Sequence, residues 1–263
     1  MSEICQVNRR DFIKIFSLAS GGIILGCNVS SDKKEFIPQV DGSFSPNLFV
    51  QLQKDGNLIL IASRSEMGQG IRTSLASAIA DEMEADWKYI TVKQASGNAK
   101  YGNQNTDGSR SVRTLLEPMR KMGATAKAIL ITAAARKWNV AESDCKAENH
   151  FIININNNDK FFFGDLVDEA SKVSIPAQET IQLKKIKDFK YIGKKLKSVD
   201  LKDFTNGTAT YGIDVRIPNM KFAAIARCPV VFGSVKSLDA SEAKETSGVE
   251  DVFEMQRLVP PTG

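Results

Sequence analysis

The chain has 263 residues, enough for one or two domains of ordinary size and for a core that needs no staples. Hydrophobic residues make up 42% and charged residues 25%, which excludes disordered, collagen-like and coiled-coil chains. The net charge of +4 is spread out, and the densest basic stretch, Lys184 to Lys197, carries only Phe189 and Tyr191 as aromatics. Nucleic-acid binding is therefore not expected, and that stretch reads as a solvated surface segment.

The N-terminus reads as an address. Asn8-Arg9-Arg10-Asp11-Phe12-Ile13-Lys14 supplies a charged region, followed by the apolar run Ile15 to Leu25. As a helix that run would rise about 16 Å, short of a bilayer core of ~30 Å, so it reads as a signal peptide and not an anchor helix. The pattern resembles a twin-arginine signal, with Asn8 and Ile13 as departures, and implies export to the periplasm by way of Arg9 and Arg10. Ile24-Leu25-Gly26-Cys27 is similar to a lipobox and makes Cys27 the expected lipidation site, although Leu25 stands where a small residue is commoner. The alternative for Cys27 is a buried free thiol. Residues 1–27 are thus read as signal and residues 28–46, polar and with Pro38, as a tether.

A first domain is expected over residues 47–172. Asn47 to Gln53 and Leu58 to Ala62 flank Lys54-Asp55-Gly56-Asn57 as a β-hairpin. After the loop Ser63 to Gly70, residues Leu75, Ala76, Ile79, Met83 and Trp87 recur at helical spacing, with Thr73 as candidate cap. Tyr89 to Lys93 reads as a strand and Ser96 to Ser111 as a long loop. Val112 to Trp138 reads as a long helix, with Pro118 in its first turn and Gly123 as a weak point. His150 to Ile155 and Lys160 to Phe163 suggest a second hairpin, and Gly164 to Lys172 a short helix. The lysine-rich segment 173–196 reads as a linker. A second domain over 197–263 offers strands at Tyr211 to Ile217 and Phe222 to Cys228 and a helix at Asp239 to Lys244. The class is α+β.

One histidine, His150, argues against a Ser-His-Asp hydrolase and against a His-rich metal site, and it reads as a polar residue ahead of a strand. Cys5, Cys27, Cys145 and Cys228 are too scattered for a zinc ribbon or an iron–sulfur cluster. Two loops carry the candidate chemistry. In Ser65-Glu66-Met67-Gly68-Gln69-Gly70 the glycines allow close backbone approach, the Gln69 amide offers donors and an acceptor, and the following helix start favours an anion. It is neither a Rossmann fingerprint nor a Walker A loop. In Thr106-Asp107-Gly108-Ser109-Arg110-Ser111, hydroxyls, amides and an arginine again precede a helix, a phosphate-binding combination. Taken alone, the first loop reads more readily as an ordinary strand-to-helix turn and the second as a capped helix start with solvent-facing serines.

Taken together, Glu66-Met67-Gly68-Gln69-Gly70-Ile71-Arg72-Thr73, Asp86-Trp87 and Thr106 to Arg113 resemble the molybdopterin-binding large subunit of the xanthine dehydrogenase and aldehyde oxidase family, in particular its isoquinoline 1-oxidoreductase β branch. Asp203 to Asp214 and Ala223 to Pro229 are similar to that family's a/b hammerhead domain. The resemblance implies an N-terminal molybdopterin-binding-type domain followed by a hammerhead. It implies hydroxylation of an N-heterocycle or aldehyde with oxygen from water, on molybdenum held by a molybdopterin, in the cytosine dinucleotide or a related form. It carries cofactor contacts onto Met67, Gly68, Gln69 and Gly70 and onto Gly108, Ser109 and Ser111; Arg110 is added for its charge. It also implies a separate small iron–sulfur subunit as partner.

Two departures stand out. The loop pair precedes the hammerhead here, and the sequence closes at Pro260-Pro261-Thr262-Gly263, ahead of where the family's catalytic glutamate is expected. No catalytic residue is assigned; Glu66 lies in a motif loop and Glu82 on a helix face, and neither is a substitute. The chain is read as an N-terminal portion of a longer subunit, with an exported, catalytically inactive lipoprotein that binds a ligand as the open alternative.

Overall fold

A computed structural model describes residues 43–230 and 233–255. Arg9, Arg10 and Cys27, and the signal and lipidation expected there, lie outside these residues. Two compact units divide the chain, Met1–Ala209 and Thr210–Gly263.

The first unit opens with β1 (Phe44–Asn47), β2 (Val50–Leu52) and β3 (Leu58–Ala62), joined antiparallel in that order. β1 takes up residues expected in the tether. It is short and contains Pro46, yet it alternates buried and half-buried residues and packs Phe44 on the edge of β2. β3 is apolar on both faces and lies at the centre of the sheet, as its run of Leu and Ile requires. The chain then crosses over through α1 (Ile71–Met83) to β4 (Ile90–Gln94), which pairs parallel to β3. α1 is buried nearly all round, so its apolar residues are not confined to one stripe. It starts before Thr73, at Gly70, and Thr73 is no cap: its hydroxyl accepts the Val199 N–H at 3.0 Å. It ends at Glu84, in the left-handed conformation, short of Trp87.

α2 (Arg110–Trp138) lies along α1. Pro118 stands inside this helix and not in its first turn, because the helix begins at Arg110. Gly123 is no weak point. A Cβ there would lie 2.4 Å from the Ile79 carbonyl oxygen, so the glycine sets how closely the two helices approach. After α2, β5 (Cys145–Glu148), β6 (Phe151–Asn154) and β7 (Lys160–Phe162) form an antiparallel meander, and α3 (Val167–Ala170) closes it. β5 reads as polar in sequence and forms because β6 offers it an edge.

His150 sits in the β5–β6 turn with Asn149, both at positive φ, and is fully buried. Its Nδ1 accepts the Asp86 N–H at 3.2 Å, so its Nε2 is the protonated nitrogen and donates to the Gly56 carbonyl at 2.9 Å. Tyr89, Phe162 and Phe163 surround the ring. Burial pushes its pKa down to about 4, against smaller opposing effects of the Gly56 carbonyl and Asp86. The residue expected as a polar strand flank is a tie between the two sheets.

Segment 173–196 is largely exposed, as expected, but it is pinned to α1 at Lys184 and at Lys190 to Ile192. Asp81 of α1 is fully buried and accepts N–H bonds from Lys190, Tyr191 and Ile192 at 2.9–3.1 Å, and the Lys184 ammonium at 2.7 Å. Burial alone would raise the Asp81 pKa; these hydrogen bonds outweigh it and hold the carboxyl below its ordinary range. Glu82 accepts Arg120 of α2 at 2.7 Å and the Lys184 N–H at 3.0 Å. The Lys184 side chain is only 7% exposed. Two buried carboxylates on α1 thus anchor an otherwise exposed segment as a strap.

α4 (Leu201–Asn206) ends the first unit, which extends past the boundary expected at Lys197. The second unit contains α5 (Ser241–Glu245) and, among its described residues, no strand. The strands expected at Tyr211 to Ile217 and Phe222 to Cys228 are not formed, and Ile213 and Phe222 are exposed. Alternation makes a strand only where a neighbour accepts its backbone bonds.

Candidate functional site

The two motif loops lie at the starts of α1 and α2 and touch. The Ser65 N–H donates to Thr106 Oγ1 at 2.9 Å, and the Thr106 hydroxyl donates to the Ser65 carbonyl at 3.2 Å. Arg64, which follows β3, donates through Nη1 to Asn103 Oδ1 at 3.2 Å and to the Asn105 carbonyl. The first turns of both helices also flank one cleft of about 350 Å³, lined by Gly70, Ser74 and Val112, and closed on the far side by the strap residues Tyr191 to Lys194. Gln69 and Ser109 do not line that cleft.

Within the first loop Gly68 and Gly70 adopt positive φ, and a Cβ at either would meet open space, so close backbone approach is available. The amides there are nonetheless engaged. Glu66 Oε1 accepts the Gly68 and Gly70 N–H groups at 2.9 and 2.8 Å, and Oε2 accepts that of Arg72 at 3.2 Å. The anion expected at the α1 N-terminus is thus the chain's own Glu66 carboxylate. The Gln69 amide folds back on its loop, accepting from the Met67 N–H at 2.6 Å and donating to the Ser65 carbonyl at 3.1 Å. Met67 is 68% exposed.

The second loop is more open. Ser109 stands at the N-cap of α2 in the left-handed conformation with no side-chain cap bond. Among the described residues, the Gly108 and Ser109 N–H groups have no acceptor. Arg110 is held by Asp107, with Nη2 at 2.6 and 2.8 Å from its two carboxylate oxygens. Ser111 is buried in the first turn of α2. Sequence reading missed Glu66 as the resident anion, Thr106 as the link and Arg64 altogether. The signal for Arg64 was its place at the end of a fully apolar strand. No cluster of His, Cys, Asp and Glu able to hold a metal ion occurs among the described residues, and no helix there is long and apolar enough to cross a membrane.

An anionic, acceptor-rich group fits the donor set of the second loop, two open amides and the Ser109 hydroxyl. The first loop fits only a group that leaves Glu66 in place or displaces the Gln69 amide from its own backbone.

Among curated proteins, the chain is 31% identical over 256 residues to the membrane-bound aldehyde dehydrogenase (pyrroloquinoline-quinone) of Gluconacetobacter polyoxogenes, covering 94% of this chain and 33% of that one. It is 26% identical over 301 residues to isoquinoline 1-oxidoreductase subunit beta of Brevundimonas diminuta, covering 99% and 38%. The chain therefore spans between 33% and 38% of the length of these relatives. Among solved structures, quinoline 2-oxidoreductase from Pseudomonas putida 86 aligns at 15% identity and a TM-score of 0.36, over 46% of this chain and 15% of that one. The molybdopterin cofactor-binding domain matches residues 11–222, a range that takes in both loops, both long helices and the strap, and the chain belongs to that family.

Proposed function

We propose that the chain is part of the molybdopterin-binding subunit of an exported molybdenum hydroxylase that oxidises an N-heterocycle or an aldehyde with oxygen from water. The observation that carries this is the stitching of the two motif loops, through Ser65 and Thr106, at the starts of two packed helices. The relatives named for isoquinoline and aldehyde oxidation support the substrate classes. The cofactor, as molybdopterin cytosine dinucleotide, supplies two-electron redox chemistry when bound. Gly108 and Ser109 offer it amides and a hydroxyl, Arg110 and the α2 N-terminus offer positive charge, and Ser111 lies buried behind them. Met67, Gly68, Gln69 and Gly70 of the first loop are the other expected contacts, and Gln69 would have to give up its internal bonds to reach the group.

Cys145 is buried and Cys228 exposed in the other unit, and among the described residues neither has a companion thiol. Electron-carrying clusters therefore belong to a small iron–sulfur partner subunit in this reading. A hammerhead over residues 197–263, export through Arg9 and Arg10, and lipidation at Cys27 complete it.

The test is analysis of the native assembly. Extraction should yield a pterin cytosine dinucleotide and molybdenum, and the Ser109→Ala, Gly108→Val double variant should lose most of both. Pyrroloquinoline quinone without pterin overturns the assignment. Pterin with no turnover of any N-heterocycle or aldehyde turns it into a binding module. Lysines at positions 9 and 10 should hold the protein in the cytoplasm, and Cys27→Ala should release it from the membrane fraction.

A further inference from the structure

We propose that the exposed side of the strap is a docking surface for an anionic lipid bilayer, with its lysines on the headgroups and Ile186 at the acyl boundary. Residues 184–197 hold seven lysines and one acid, Asp188. Two of the lysines are engaged by the fold: Lys184 pairs with Asp81 and Glu84 at 2.7 and 2.8 Å, and Lys190 with Glu84 at 2.6 Å. Lys185, Lys187, Lys194, Lys195 and Lys197 are exposed, and among the described residues no carboxylate pairs with any of them. The aromatics of the strap are occupied within the fold. Phe189 lies under the Arg120 guanidinium at 4.8 Å, and the Tyr191 hydroxyl donates to the Ala85 carbonyl at 2.7 Å, beside Trp87. Ile186, between Lys185 and Lys187, is instead 82% exposed.

The composition of this surface selects its partner. Interfaces with proteins draw on aromatics and arginine and are poor in lysine, whereas here lysine is left outside and the aromatics are turned in. A lysine ammonium is a hydrated point charge on a long apolar stem, which suits a plane of phosphate headgroups that asks for charge and not for a matched fork. An apolar side chain set among such charges reaches the boundary between headgroups and acyl chains. The bonds of Asp81 to Lys190, Tyr191 and Ile192 already hold the strap in place, so little ordering is left to be done on contact.

For bringing a bilayer near, the inference rests on the lipidation proposed at Cys27; the patch then sets which side of the first unit faces the lipid. Alone, at physiological salt, it is too weak to retain the chain. The test uses the full chain carrying Cys27→Ala, so that no lipid contributes. Sedimentation gives its partition onto vesicles of equal parts phosphatidylglycerol and phosphatidylcholine and onto phosphatidylcholine alone, and the ratio of the two is read. The apolar run Ile15 to Leu25 is common to every variant and cancels in the comparison. The chain should prefer phosphatidylglycerol at low salt and lose that preference as salt rises. Lys194→Gln with Lys195→Gln, and separately Lys185→Gln with Lys187→Gln, should each lower the ratio about tenfold. Ile186→Ser keeps the charge and should weaken partition several-fold at any salt. Lys137→Gln with Lys172→Gln removes the same charge outside the strap and should change the ratio little. All these side chains are exposed, so the variants fold. A ratio that neither strap pair lowers, or that the outside pair lowers as much, overturns the docking surface; unchanged partition of Ile186→Ser overturns the part given to Ile186. A chain indifferent to phosphatidylglycerol but retained on poly-glutamate beads through the same lysines meets an acidic protein, and the proposal falls. If the strap pairs act as expected while the native protein carries no lipid at Cys27, the lipidation falls and the surface stands. If Cys27 is lipidated while vesicles ignore the strap, the surface falls and the lipidation stands.

Discussion

Ser65 and Thr106 exchange two hydrogen bonds, one from the Ser65 amide and one from the Thr106 hydroxyl, and so fix two loops that the sequence places far apart. Each loop starts a helix, so a shift at this pair moves both helix ends. Thr106→Val removes both bonds at nearly constant volume. The expected cost is about 1–2 kcal/mol, read as a lower denaturation midpoint. Trypsin should cut faster at Lys100, within the loop that has come loose.

Glu66 supplies the anion at the start of α1. Glu66→Gln keeps one acceptor but removes the charge, and should cost about 1 kcal/mol in a denaturant melt at low salt. Most of that loss should vanish at high ionic strength, where the helix-end charge is screened.

Gly123→Ala inserts a methyl group 2.4 Å from the Ile79 carbonyl. Both atoms belong to packed helices, so neither gives way cheaply. The expected penalty is about 1–3 kcal/mol by thermal unfolding, with α1 and α2 pushed apart.

His150 predicts acid sensitivity. In the unfolded chain its imidazole takes up a proton near pH 6.5, whereas in the folded protein it does so near 4. The neutral ring is the one that fits, with Nδ1 accepting and Nε2 donating. Its contribution is complete above pH 6.5 and is lost as the pH falls from 6.5 towards 4, amounting to about 3 kcal/mol across that window. Stability measured against pH should show this slope, and His150→Gln should flatten it.

The segments with strong periodicity were legible in the sequence. β3, α1, the core of α2 and the β6–β7 hairpin follow from apolar spacing and from turn residues. β1 and β5 were not, because Phe44–Asn47 and Cys145–Glu148 are only four residues long, the first with a proline, and depend on an edge offered by a neighbour. The strap was legible only in part: its lysines suggest solvent, but Lys184 and the Lys190 amide answer carboxylates on a helix distant in sequence. The two loops were identifiable as motifs, while their self-satisfied state was not. Nothing local announces that Glu66 folds onto the Gly68 and Gly70 amides or that the side chain of Arg64 is buried.

Asp81 gathers donors from the strap backbone and from Lys184 onto one carboxylate that is itself part of α1. Irregular chain usually trades its amide protons with solvent within seconds to minutes, while a buried helix keeps them for far longer. Here the amides of Lys190, Tyr191 and Ile192 end on the helix, so they are released only when that helix opens. In hydrogen exchange these three positions should therefore share the slow opening of α1, and a coil segment would keep time with the core.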